Sequence, residues 1–325
     1  MSAVLSVEGL GIRFPRHQAV HELALTVAAG ETVALVGESG CGKSATALAL
    51  MRLLPPEAAL SARRMRLGDV DLLGAAPRTL RALRGKRIAM VFQEPMTSLN
   101  PVMTVGRQIA EVLRLHEGMS RAAARRRAEE LLALVRIAEA RRCFDEYPHR
   151  LSGGMRQRVM IAMAVACTPQ LLIADEPTTA LDVTIQAQVL ELLDTLRRQL
   201  GMGLLLITHD LGVVAQWADR VVAMYAGRVV EAGTAERFFA GVGPMHPYTR
   251  GLLNSTIGSH GDAHYRARRL QEIPGSIESA QGERGCAFAP RCPAVQPSCR
   301  VALPTLRAAG PEHQLACGIV AAGDD

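Results

Sequence analysis

Aromatic residues are scarce in this chain, at 3% of 325 residues, although 49% of the residues are apolar. Packing therefore falls to Ala, Leu and Val. The charge balance is 37 − 31 = +6, and the basic residues are scattered rather than interleaved with aromatics. That pattern predicts no nucleic-acid partner. No apolar run approaches the roughly 18–20 residues that span a bilayer. No basic stretch leading into an apolar one opens the chain, so no export signal is expected. The expectation is a cytoplasmic protein, whose membrane spans, if it acts at a membrane, belong to other chains. Closely spaced cysteine pairs and repeats at a fixed period are missing too. Four of the seven cysteines nevertheless gather in the last forty residues.

What is present alternates between two periods. "ELALTVAAGETVALVG" first alternates Leu23, Leu25 and Val27, then runs apolar from Val33 to Val36, as in a strand buried on both faces. "SRAAARRRAEELLALVRIA" predicts a helix capped by Ser120, with the run Arg125 to Arg127 on a solvated face. "QLLIADEP" and "GLLLITHD" predict further buried strands. "TIQAQVLELLDTLRRQL" predicts a helix burying Ile185, Val189, Leu192, Leu193, Leu196 and Leu200. "VVAMYAGRVVEAG" predicts a hairpin turning at Ala226-Gly227. Buried strands alternating with helices predict an α/β fold with a largely parallel sheet. Helices are expected over about 95–166. After about Gly241 prolines, glycines and cysteines rise and periodicity fades, so a boundary is expected near "GVGPMHPYTRG".

"GESGCGKS", Gly37 to Ser44, matches G-x-x-x-x-G-K-S between a predicted strand and a predicted helix. Glycines let such a loop curl until its N–H groups converge on phosphate oxygens. Gly37, Ser39, Gly40, Cys41, Gly42, Lys43, Ser44 and Ala45 are the expected nucleotide contacts. Lys43 reaches the β- and γ-phosphates, and Ser44 ligates Mg²⁺. Cys41 reads as a tolerated small residue, although a helix N-terminus would lower its pKa. Asp175 and Glu176 end a buried strand, where ligands of open α/β sheets sit. Asp175 suits the Mg²⁺ shell, directly or through water. Glu176 suits a general base that polarises the attacking water. Gln93, also at a strand end, suits both Mg²⁺ and water. His209 is placed to bond the γ-phosphate and orient the water.

At "LSGGMRQR", Leu151 to Arg158, the residues resemble the signature motif of ABC-type ATPases, usually LSGGQ. Gln93 matches the family's Q-loop, "TALD" at Thr179 to Asp182 its D-loop, and His209 its switch histidine. Phe14 matches the aromatic that stacks on adenine. The resemblance implies a P-loop NTPase fold with an inserted helical subdomain at about 95–166 and antiparallel β elements. It also implies head-to-tail pairing of two nucleotide-binding domains. Ser152, Gly153 and Gly154 would then open a helix toward the ATP of the partner. Met155 departs from the usual Gln but leaves Ser152 and both glycines in place.

"FQEPMTSLNPVMTVG", "DEPTTALDVTIQAQ" and "HPYT" (His246 to Thr249) are similar to ATPase subunits of dipeptide/oligopeptide importers. This resemblance implies a nucleotide-binding domain over 1–240 and an importer-type C-terminal domain over 241–325, small, irregular and Cys-rich. The implied partners are a second ATPase subunit (a heterodimer, or a homodimer), two transmembrane permease subunits and an extracytoplasmic solute-binding protein. The implied place is the cytoplasmic face of the inner membrane, as a peripheral subunit. Peptide is the family default, and relatives carry nickel, glutathione or other solutes. A non-transport ATPase acting on nucleic acid or ribosomes is the other class. Its usual tandem domains, coiled coils or basic insertions are not visible.

The tail cysteines are Cys286, Cys292, Cys299 and Cys317. Disulfides need an oxidising compartment. Zinc suits four thiolates but usually brings closely spaced pairs. The wider spacing fits four thiolates around a [4Fe–4S] cluster, and the importer ATPases with this tail are associated with one. The resemblance therefore implies these four as cluster ligands, with Zn²⁺ as the alternative, in a structural or an oxidation-sensing role.

Overall fold

A computed structural model describes residues 3–179, 181–240, 243–255, 272–280 and 283–320. Ala180 of the "TALD" motif and residues 241 and 242, at the expected boundary, lie outside the described residues. The chain forms two compact units and passes repeatedly from one to the other. The first comprises Met1–Ser6, Thr26–Glu31 and Arg66–Leu205, the second Val7–Leu25, Thr32–Met65 and Leu206–Asp325.

In the first unit, the continuous apolar runs become strands Ile88–Val91 and Leu171–Asp175, buried throughout. They pair in parallel, from Ile88↔Leu171 to Val91↔Ala174. A parallel pair needs a long crossover, and the expected helices supply it. These are Val105–Glu117, Arg121–Leu134, Ala140–Phe144 and Gly153–Val165. The Ser120 hydroxyl accepts from the Ala123 N–H and caps its helix as expected. Gly106 lets its helix approach Phe144 closely, since a Cβ there would lie 2.1 Å from ring carbons. Arg125 pairs with Glu129 and Asp145, and Arg127 with Glu130, on the solvated face the arginine run predicts. The helix Val183–Leu200 buries Val189, Leu192, Leu193 and Leu196. Ile185 and Leu200, expected on the same stripe, are only half-buried. They sit near the helix ends, where less of the unit covers them.

In the second unit, Thr32–Val36 is buried throughout and pairs in parallel with Arg220–Tyr225. That strand turns back into Arg228–Thr234 through Ala226 at φ 46° and Gly227 at φ 78°. Two left-handed residues match the twist of a hairpin, at the two positions the sequence nominates. Beyond them the tail is less irregular than its composition suggests. His313–Leu315 joins Arg228–Thr234 antiparallel, with Glu231 opposite Leu315, and Arg307–Gly310 pairs with it in turn. Strands of three or four residues leave no legible period. Here a buried side-chain bond fastens them. His313 Nε2 lies 2.9 Å from Glu231 Oε1, with side-chain exposures of 2% and 1%. The other Glu231 oxygen accepts the His246 N–H.

The scarce aromatics concentrate in this unit. Tyr225, Tyr248, Phe238 and Phe288 are its largest fully buried side chains. Tyr225 meets Tyr248 at 4.8 Å and Phe288 at 5.1 Å between ring centroids, tilted and edge-on. Each such pair contributes about 0.5–1.5 kcal/mol beyond burial, so a few rings weld the tail to the strand Arg220–Tyr225. Among the described residues no helix is long and apolar enough to cross a membrane.

Candidate functional site

The loop Gly37–Ser44 links the strand Thr32–Val36 to the helix Lys43–Leu50, the context its motif requires. Two glycines are obligatory. Gly37 has φ 151°, and a Cβ would fall 2.3 Å from the Met224 carbonyl oxygen. Gly42 caps the helix at φ 103°, and a Cβ would fall 2.5 Å from the Ala19 carbonyl oxygen. Ser39, Gly40 and Ser44 are exposed, while Ala45 is half-buried. Lys43 is only 5% exposed, and its Nζ donates to the carbonyls of Gly37 (2.7 Å) and Glu38 (3.0 Å). The ammonium is thus held inside the loop it serves. Cys41 is fully buried, 3.8 Å from Lys43 Nζ. Burial pushes its thiol up, outweighing the nearby lysine, so the lowering expected of a helix N-terminus does not prevail.

The first unit holds the acidic part. Asp175 is 4% exposed at the end of its strand, and Glu176 follows at φ 46°. A left-handed glutamate is uncommon and marks a constrained position. Its Oε2 accepts from Gln93 Nε2 (3.1 Å) and from the Thr179 hydroxyl (2.9 Å). Gln93 and Glu176, predicted from two separate strand ends, are therefore brought together. Ser152 caps the helix Gly153–Val165, its hydroxyl accepting from the Met155 N–H. Gly154 has no room for a side chain, since a Cβ would lie 2.8 Å from Ile185 Cγ2. The predicted helix opening at Ser152–Gly154 is present. Asp182 caps Val183–Leu200 through Ile185 N–H, a local role beside the one expected of it.

In the second unit His209 is exposed just past the strand Gly203–Thr208. Asp210 beside it caps the next helix. Phe14 ends the strand Ala3–Phe14, and its ring stacks on His17 at 5.3 Å and 17°. His17, not Phe14, lines a cavity of about 650 Å³ together with Gln18, Gly40, Gly227 and Arg284. The sequence reading missed His17. Its signal was faint: a polar ring three residues beyond an aromatic, across a turn.

The four tail cysteines line one cavity of about 260 Å³ with Phe288 and His246. The Cys286 N–H donates to the Cys299 carbonyl at 2.7 Å. Burial pushes the thiols of Cys286 and Cys292 up, and neighbouring cysteines add to it. Among the described residues, no three His, Cys, Asp or Glu side chains are set to hold a metal ion. The expected ligand set is thus gathered around a common space without closing on a point.

A buried strand, a glycine loop and a buried lysine opening a helix define a P-loop nucleoside triphosphatase. The family described as "ABC transporter" matches residues 20–179, and "Oligopeptide/dipeptide transporter, C-terminal region" matches residues 230–299. The chain is 52% identical to a peptide ABC transporter ATP-binding protein of Sinorhizobium fredii, over 90% of this chain and 86% of that one. It is 50% identical to a peptide import ATP-binding protein of Brucella abortus, over 97% and 96%. Among solved structures it resembles cbiO1 of Clostridium perfringens, part of the ABC transporter complex cbiONQ (26% identity, TM-score 0.64, 74% of this chain and 92% of that one). It also resembles a dimeric bacterial ABC transporter cassette (27%, TM-score 0.61, 71% and 98%). The chain belongs to the ATP-binding subunits of the oligopeptide/dipeptide ABC transporter family. It is an ABC transporter ATPase, and such subunits pair with permease components.

Proposed function

We propose that this chain hydrolyses ATP to power uptake of dipeptides or oligopeptides through a separate permease. The loop Gly37–Ser44 carries the reading. Its two glycines sit where a Cβ would strike backbone carbonyls, and its lysine is buried at a helix start. Likeness to relatives named for peptide import supports the solute. We read residues 1–240 as the nucleotide-binding part, with helices of 95–166 inserted, and 241–325 as the importer-type tail. The ATPase works as a peripheral subunit at the cytoplasmic membrane face, with a second ATPase subunit, two permease subunits and an extracytoplasmic binding protein.

Lys43 binds the β- and γ-phosphates. Ser44, Asp175 and Gln93 would hold Mg²⁺, which would neutralise phosphate charge once bound. Glu176 takes the proton of the attacking water, its carboxylate aimed by Gln93 and Thr179. His209 orients that water. The adenine base stacks at the Phe14–His17 pair. Ser152, Gly153 and Gly154 present helix N–H groups to the ATP of the second ATPase subunit, and Asp182 belongs to the same contact. The test is uptake into vesicles that carry the co-purified permease and its binding protein. Peptide uptake that stops without ATP is expected. Uptake of nickel or glutathione instead would replace the solute, and nucleic-acid-stimulated turnover by the free chain would sink the importer reading.

Cys286, Cys292, Cys299 and Cys317 would hold a [4Fe–4S] cluster. Support comes from the donor type, four thiols, and from their shared cavity. Zn²⁺ on the same four thiols is the alternative, and metal analysis separates the two. Once bound, such a cluster would staple the tail covalently. Protein purified without oxygen is expected to be brown, with iron and sulfide each near about four per chain. A colourless, zinc-loaded protein would refute this.

A further inference from the structure

The second residue of the phosphate loop, Glu38, is gripped from the far end of the chain. Its carboxylate accepts from Arg291 Nη1 at 2.7 Å, in a bridge whose arginine side chain is 5% exposed. Its backbone N–H donates to the Tyr248 hydroxyl at 2.8 Å. Its carbonyl accepts from Lys43 Nζ at 3.0 Å. The N–H, the carbonyl and one carboxylate oxygen of a single loop residue are thus taken, two of the three by the tail.

The grip is itself braced. Arg291 Nε donates to the Pro274 carbonyl (2.7 Å) and Nη2 to the Ile273 carbonyl (3.2 Å). Its Nη1 also reaches the Tyr225 hydroxyl at 3.4 Å. Tyr248 is fully buried between Tyr225 and Phe288. A buried guanidinium with four hydrogen bonds is rigid, and removing its partner leaves an uncompensated charge. A surface bridge would do none of this. Cys292 follows Arg291 directly, and Cys286, Phe288 and Cys292 line the four-cysteine cavity.

We propose that Arg291 and Tyr248 are positioning residues for the phosphate loop, holding Glu38 so that its carbonyl presents Lys43 and its neighbours present their N–H groups to the triphosphate. The tail then does more than pack. It sets nucleotide affinity, and disturbance of the cysteine-lined cavity reaches the loop through the Cys292–Arg291 step. This rests on reading Gly37–Ser44 as the triphosphate site.

Nucleotide titrations of the full chain test it, with Tyr248→Phe and Glu38→Gln as the main variants because both keep the shape of the residue. Arg291→Lys and Arg291→Ala complete the set. Tyr248→Phe leaves the Glu38 N–H without its acceptor, and Glu38→Gln removes the charge that Arg291 holds. Each is expected to weaken MgATP about tenfold, the scale of one such bond. ATP and GTP should weaken by the same factor, because the loop and not the base is affected. In the Glu38→Gln background, Arg291→Lys should add no further loss. Hydrogen exchange at the Glu38 amide, measured without nucleotide, should quicken in Tyr248→Phe. Folded variants with unchanged exchange and unchanged affinity would overturn the proposal. A folded wild-type chain that binds no ATP would sink the triphosphate reading instead, and the exchange measurement would still decide whether the tail holds the loop.

Discussion

Glu176→Gln is expected to stop ATP turnover while ATP still binds. The substitution keeps the length and shape of the side chain and removes its ability to accept a proton. Gln93 and Thr179 both donate to Glu176 Oε2 in the native chain. An amide oxygen can still accept there, so the strained backbone at φ 46° has no reason to move. Loss of a positioned general base costs about 10²–10⁴-fold in rate. Single-turnover hydrolysis, measured beside equilibrium ATP binding, checks both halves. Near-normal hydrolysis would show that Glu176 is not the base. Lost binding would show that it holds the nucleotide instead.

Lys43→Ala is expected to remove productive nucleotide binding. Two effects add. The first is the charge: an ammonium opposite phosphate oxygens in a water-poor loop contributes about 2–5 kcal/mol, so affinity falls by well over tenfold. The second is the loop itself. Lys43 Nζ bonds the carbonyls of Gly37 and Glu38, and without it those acceptors lose their cross-brace. Lys43→Arg keeps the charge with a bulkier head in a site that is 5% exposed, so partial affinity is expected from it. A titration giving wild-type affinity for Lys43→Ala would remove the lysine from the nucleotide site.

The phosphate loop, both strand-end acids and the helix opening at Ser152 were legible because each is local. A strand, a glycine-rich turn and a helix follow one another within a few residues, and their glycines announce the conformation. The hairpin at Ala226-Gly227 and the cap at Ser120 were legible for the same reason. The direction in which the Cys41 thiol shifts was not legible, because its protonation depends on what buries it as well as on the helix it precedes. His17 was missed, because a cavity wall has no period. The strand His313–Leu315 was missed, because three residues give no pattern and its anchor, Glu231, lies far back in the chain.

The sequence by itself determined the outline of the engine: which glycine loop joins strand to helix, which carboxylates end strands, and which family shares that order of motifs. Those are short-range facts, written in turn residues and apolar periods. Only the tertiary structure decided how the tail serves that engine. The bridge from Arg291 to Glu38 joins residues 253 positions apart, and a lone arginine among prolines carries no sign of its partner. The same holds for the aromatics. Their scarcity was plain from composition, but folding alone gathered Tyr225, Tyr248 and Phe288 around the hydroxyl that meets the phosphate loop. Burial makes that contact specific, since a polar group without water must find its partner in the chain.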